Sequence, residues 1–309
     1  MKNTFSRRKL IKLAGYSGLA AALPFPDFLQ QNKTMLQRRI LSSAAEMLPV
    51  VGLGTWIQFD VGKSEEERQP LREVLKKMTE FGGKVIDSSP MYGNAEEVVG
   101  DLTTATGLAD KFFYATKVWT NGEQEGIKQM QASLRKMRRT TMDLMQIHNL
   151  MDWQTHLKTL KKWKEEGKIR YIGITHYTVA SHEQLEKIVK TEKPDFVQCN
   201  YSIRVRNAEN SLLKAAHDND VSVIINEPFE KGSLFGTVKG KDLPAWAADY
   251  DIKSWAQFFL KFILSNAAVT CVIPGTSNPE HLADNMGAGY GKLPDEAGRK
   301  KMIEFIEKL

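Results

Sequence analysis

The chain has 309 residues, of which 42% are hydrophobic and 26% charged, with a formal net charge of +6. Such a balance excludes a disordered or low-complexity chain and allows a large core without disulfide or metal staples, because a single α/β barrel runs to about 250 residues. The charge does not describe a nucleic-acid-binding surface either: Lys2, Arg7, Arg8, Lys9 and Lys12 fall in residues 1–22 with no acidic residue among them, and without them the balance is +1.

In chain order, Ser6-Arg7-Arg8-Lys9-Leu10-Ile11-Lys12 is followed by an apolar stretch from Leu13 to Leu23 and the small residues Ala20-Ala21-Ala22. A basic start, a short apolar run and a small-residue end form a secretory signal, and the paired arginines are similar to the twin-arginine class. The apolar run falls short of the ~20 residues of a spanning helix. Residues 1–22 are thus expected to engage the twin-arginine translocation machinery and to send the protein to the periplasm or beyond. Residues 23–35, with Pro24 and Pro26, read as a linker, and 36–309 as one domain.

Within that domain, strands are predicted at Val50–Thr55, Lys84–Ser88, Phe112–Lys117, Met142–Ile147, Ile169–Thr175, Phe196–Asn200, Val221–Asn226 and Val269–Ile273. Helical spacing separates them, as in Glu65–Phe81, where Leu71, Val74, Leu75, Met78 and Phe81 share a face, and in Ile127–Met137 and Leu157–Glu166. Eight strands alternating with helices predict a closed parallel (β/α)8 TIM barrel, with the helix Ala297–Leu309 packed outside it. An open doubly wound sheet is the alternative, but no GxGxxG turn follows the first strand. Cys199 and Cys271 sit in apolar runs and are expected to be buried free thiols.

Barrel chemistry sits at the carboxyl ends of strands. Those ends carry Asp87 and Tyr92 after the second strand, Lys117 on the third and His148 on the fourth, so one cavity receives four polar groups. A phenol with a pKa near 10 is a weak acid at neutral pH, and a neighbouring ammonium is expected to lower it. Tyr92 as proton donor, Lys117 as tuner, Asp87 as its anchor and His148 as carbonyl orienter together suit reduction of a C=O group. His148, His176 and His281 lack the short spacing of a zinc site, and no metal is expected. Trp56, Trp119 and Trp153 are expected to line the substrate pocket, and the segment Phe229–Ile252 is long enough to fold over a bound cofactor as a lid.

Gly52-Leu53-Gly54-Thr55-Trp56, Asp87-Ser88-Ser89-Pro90-Met91-Tyr92-Gly93, Lys117, His148, Arg170-Tyr171-Ile172-Gly173-Ile174-Thr175, Gln198 and Ile273-Pro274-Gly275-Thr276 resemble, in order, the aldo-keto reductases. That resemblance implies hydride transfer between a nicotinamide cofactor, NADP(H) or alternatively NAD(H), and an aldehyde, ketone or sugar carbonyl. It also implies an extended cofactor across the barrel mouth, contacted by Gly54, Thr55, Thr175, His176, Gln198, Asn226, Pro228, Gly275, Thr276, Ser277, His281, Asp284 and Asn285. Three positions depart from the family pattern. Thr175-His176 stands where Ser-Asn is usual, and Asn226-Glu227-Pro228 replaces a Tyr-Ser-Pro segment whose tyrosine stacks on the nicotinamide. Gly275 and His281 replace a lysine and an arginine that cradle the 2′-phosphate. A neutral imidazole offers little to a phosphate dianion, so NADP preference is expected to be weaker than the family's. The competing reading is a non-catalytic nucleotide-binding barrel acting as a sensor or partner subunit. The sequence leaves the oligomeric state open.

Overall fold

The computed structural model describes residues 34–309, which form one unit. The predicted export signal and most of the predicted linker lie outside the described residues. Met35 is buried, its side chain lying against Gly82 and Gly289. Next comes an antiparallel hairpin, β1 (Gln37–Arg39) and β2 (Met47–Pro49), with Gln37 opposite Pro49. Strands of three residues are too short to display an alternating pattern, which is why the hairpin is absent from the sequence reading.

Eight parallel strands follow: β3 (Leu53–Gly54), β4 (Val85–Asp87), β5 (Phe113–Val118), β6 (Met142–His148), β7 (Ile169–Thr175), β8 (Phe196–Asn200), β9 (Ser222–Asn226) and β10 (Val269–Val272). Each pairs with the next in chain order, and parallel bridges Val51–Val272 and Gly54–Gly275 bring the last strand back to the first. The expected barrel is therefore present, with all eight predicted strands in place. Glycine is required at the closure, because a Cβ on Gly54 would stand 2.9 Å from the Ile273 carbonyl oxygen.

The helices are α1 (Glu65–Glu80), α2 (Ala95–Ala105), α3 (Glu123–Lys136), α4 (Trp153–Glu165), α5 (His182–Glu192), α6 (Leu212–Asp218), α7 (Ser233–Thr237), α8 (Trp255–Leu264), α9 (Pro279–Gly287) and α10 (Glu296–Ile306). In α1 the Ser64 side chain accepts the Glu67 N–H, three glutamates occupy the first turn, and Leu71, Val74, Leu75 and Met78 form the buried face.

Strand side chains alternate between the barrel interior and the helix layer. Two separate apolar clusters result, one between strands and helices and one inside the barrel. The interior cluster uses the first inward positions of the strands, including Val85, Phe113, Leu144, Tyr171, Phe196 and Ile224. Ile40 and Leu48 of the hairpin join that cluster and plug the amino end of the barrel. Two or four residues further along each strand the inward positions turn polar: Asp87, Lys117, Gln146, Thr175 and Gln198 are all buried. A packed lower half thus supports a polar floor at the carboxyl ends. Cys199 and Cys271 are buried free thiols as expected, burial pushing the Cys199 thiol up to about 12.

Candidate active site

Lys117 is the centre of the polar floor and is fully buried. Its ammonium donates to Asp87 Oδ2 at 2.5 Å and to the Ser88 carbonyl at 2.6 Å. Burial alone would favour the neutral amine, but Asp87 and then Tyr92 outweigh it and hold Lys117 above the ordinary lysine range. Asp87 Oδ1 accepts from Gln146 Nε2 at 2.8 Å and from Gln198 Nε2 at 3.0 Å, so each carboxylate oxygen has a fixed donor. Gln146 fits because residue 173 on the neighbouring strand is glycine: a Cβ there would lie 2.7 Å from Gln146 Cγ.

Tyr92 sits in the β4–α2 loop with the Lys117 ammonium 4.9 Å from its ring centroid. The sequence reading expects this ammonium to depress the phenol, and the structure corrects the net direction. Burial is the largest influence and raises the Tyr92 pKa, Lys117 pulls it down, and Asp87 raises it again, leaving it above the ordinary phenol value. Tyr92 is therefore a protonated donor at neutral pH.

His148 packs edge-on against Tyr92 at 5.9 Å, and its Nδ1 lies 3.1 Å from Ser89 Oγ. With the serine as donor, Nε2 carries the ring proton and is the nitrogen free to donate. Burial, followed by the charges of Lys117 and His176, lowers its pKa to about 2, so the ring is a neutral imidazole.

These four residues border a cavity of about 710 Å³ at the carboxyl end of the barrel, which Asp87, Tyr92 and His148 line directly. Gly54, Thr55, Thr175, Gln198, Asn226, Pro228 and Gly275 also line it, as do Trp56 and Trp119. Several sequence-predicted contacts lie elsewhere. Trp153, at the first turn of α4, packs half-buried on the outer core and does not line the cavity. His176 is absent from the lining because alternation turns Thr175 inward and residue 176 outward; its ring stacks on Tyr177 at 5.5 Å. Thr175 Oγ1 donates to Gln198 Oε1 at 3.1 Å.

At the far side, the Thr276 hydroxyl accepts the Asn278 N–H at 3.0 Å, and Ser277 donates to Gln58 at 3.1 Å. Asn278 caps α9 by accepting the N–H groups of Glu280 at 2.8 Å and His281 at 3.4 Å, with Pro279 opening the helix. Asp284 accepts from Gln257 at 2.8 Å, and Asn285 is buried. The expected contacts Thr276, Ser277, His281, Asp284 and Asn285 lie beyond the cavity lining, just before α9 and along it.

The sequence reading did not single out Tyr177 and Lys231, which line the mouth. The Lys231 ammonium lies 5.4 Å from the Tyr177 ring and 5.7 Å from the Trp56 ring, and 3.4 Å from Glu227. Of the expected lid, Phe229, Lys231, Gly232 and Phe235 reach the cavity. Among the described residues, no cluster of acidic, histidine or cysteine side chains could hold a metal ion.

The residues present fit a nicotinamide nucleotide: flat aromatic walls at the mouth and a buried amide oxygen on Asn226 with no partner. Residues 50–300 match the model of the aldo/keto reductase family. The chain is 28% identical to methylglyoxal reductase YeaE of Escherichia coli K12, the match covering 81% of this chain and 89% of that protein. It is 25% identical to an NADH-specific methylglyoxal reductase of the same organism, over 84% and 95% of the two chains. A solved aldo/keto reductase from Klebsiella pneumoniae in complex with NADP and acetate superposes with a TM-score of 0.72 at 25% identity, covering 84% of this chain and 92% of that one. With 251 consecutive positions matched to the family model around this barrel and this floor, the chain belongs to the aldo/keto reductase family.

Proposed function

We infer that the protein is an NAD(P)H-dependent carbonyl reductase in which Tyr92 is the proton donor, a reading carried by the Asp87–Lys117–Tyr92 arrangement beside His148. A nicotinamide held against Thr175, Gln198 and Asn226 would supply the hydride that the carbonyl carbon needs to become an alcohol. His148, neutral across the working pH range, donates from Nε2 to the substrate oxygen and fixes its direction. Tyr92 delivers its hydroxyl proton to that oxygen as negative charge develops there. The buried Lys117 ammonium stabilises the phenolate left behind, and Asp87 keeps Lys117 charged and in place. A protein that only bound nucleotide would have no use for a buried ammonium held by Asp87 and the Ser88 carbonyl beneath a phenol, so catalysis is favoured over the sensor reading.

Relatives named as methylglyoxal reductases supply the first substrate to try, and both nucleotides belong in the assay because one of those relatives is NADH-specific. Titrating protein fluorescence with NADPH and NADH, then following nicotinamide absorbance with methylglyoxal, tests the reading. Binding with substrate-dependent oxidation is expected; binding without turnover on any carbonyl would favour the sensor.

We further propose export by the twin-arginine route, supported by Arg7-Arg8 and the apolar run after them. Outside the cytoplasm reduced nicotinamide is not regenerated, so the cofactor is proposed to stay bound and to cycle between an oxidised and a reduced substrate. Nucleotide retained through gel filtration supports this; a nucleotide-free protein that consumes added NADPH in every turnover contradicts it. Cell fractionation of the wild type beside an Arg7→Lys, Arg8→Lys variant tests export itself.

A further inference from the structure

Among the described residues, most of the large hydrophobic side chains left exposed stand on the rim of the cavity. Eight large hydrophobic residues are exposed among the described residues, and five of them, Trp56, Ile57, Met91, Tyr177 and Phe235, line this one cavity. They come from four different loops, after β3, β4, β7 and β9, and so surround the mouth. Ile57 is 60% exposed, the most of the eight. It also has φ of 62°, a left-handed conformation that a β-branched residue adopts only under strain. Exposure and backbone strain at one residue are separate observations, and both mark a side chain held in place for a ligand.

Charge points the same way. The cavity lining contains Asp87, Glu227 and Lys231 as its acidic and lysine side chains, and each is matched: Asp87 by Lys117, and Glu227 by Lys231, which also lies near the Trp56 and Tyr177 rings. The mouth therefore offers wide apolar contact and no unmatched cation for a carboxylate.

We propose that the substrate is a neutral carbonyl compound with a bulky apolar or aryl body, seated against the Ile57 rim, and not a two- or three-carbon aldehyde. This rests on the reductase reading and names its substrate class. A concave rim leading down to Tyr92 and His148 suits a small molecule better than a protein partner, which would use a broad, flat patch.

The test compares kcat/KM of the full-length protein for methylglyoxal, benzaldehyde, 2-naphthaldehyde and 4-carboxybenzaldehyde. Each added ring is expected to raise kcat/KM on the order of tenfold through buried apolar area, and the carboxylate to lower it below benzaldehyde. Ile57→Asn is the decisive variant, because asparagine tolerates the left-handed backbone. It is expected to raise the thermal midpoint while reducing the naphthaldehyde-to-methylglyoxal ratio about tenfold. Equilibrium dialysis with 2-naphthalenemethanol, the product alcohol, is expected to show the same loss of binding without turnover. A wild type that prefers methylglyoxal, or an Ile57→Asn protein with an unchanged ratio, overturns the proposal while leaving the reductase reading intact. Flat ranking with no alcohol binding would assign the rim to a protein partner and also overturn it. Failure to reduce any carbonyl with either nucleotide would instead overturn the reductase reading beneath it.

Discussion

Lys117 shows how single residues carry this site. A fully buried ammonium survives only with its partners, so Lys117→Met should do two separable things. It should lower kcat by at least ~100-fold and destabilise the fold by about 3–5 kcal/mol, because Asp87 is left as an uncompensated buried charge. Lys117→Met with Asp87→Asn should recover much of the stability and none of the activity, as read by denaturant unfolding beside turnover. The pH dependence follows from His148. Its folded pKa, about 2, lies below its unfolded value of 6.5, so between those pH values the unfolded chain binds a proton that the folded chain does not. Stability is therefore expected to fall as pH drops below 6.5, with half-buried His176 and buried His182 acting in the same direction. His148→Asn should show a smaller loss of thermal midpoint between neutral and mildly acid buffer. Tyr92, held above the ordinary phenol range, should keep kcat from declining on its account through mildly basic pH. The four polar residues were legible because each stands at a strand end and strand ends converge. The net direction of the Tyr92 shift was not, since burial depends on packing that no motif records. Gln146 was illegible for a related reason: its role depends on space left by Gly173 on the next strand.

At the scale of elements, apolar β-prone runs located all eight barrel strands, because a parallel barrel strand is buried on both faces, and helical spacing located α1, α3, α4 and α10, because a surface helix buries one stripe. Short elements defeated the same logic. The hairpin β1–β2 left no pattern, although Leu48 and Ile40 are fully buried against the barrel interior. Leu48→Ala should cost about 2–5 kcal/mol of stability, measured by denaturant unfolding, with KM unchanged because the plug and the cavity occupy opposite ends of the barrel. Arg38 gives the hairpin a second function: its guanidinium donates to the carbonyls of Leu264 at 2.5 Å and Asn266 at 2.8 Å, closing the end of α8. The length of the segment after β9 was legible, and its first residues reach the cavity. Its anchoring was not legible, since Glu230 is held there by Ser202 at 2.5 Å and by Arg204 Nε at 3.1 Å from a distant loop.

At the scale of the whole molecule, the fold sets where chemistry occurs and the departures at its edge set what is bound. Gly275 lies in the barrel closure opposite Gly54, and His281 is exposed on a helix whose first N–H groups are capped by Asn278. Neither offers a 2′-phosphate the bidentate grip of arginine. NADPH and NADH are accordingly expected to bind within about tenfold of one another, and His281→Arg to favour NADPH by roughly tenfold or more, as read by fluorescence titration. The measurement that bears most directly on the central claim is nicotinamide oxidation by the purified protein with a panel of carbonyl substrates, wild type beside Tyr92→Phe. The proton-donor assignment predicts that kcat falls at least ~100-fold in the variant while nucleotide affinity stays unchanged. Turnover by Tyr92→Phe at the wild-type rate would contradict it.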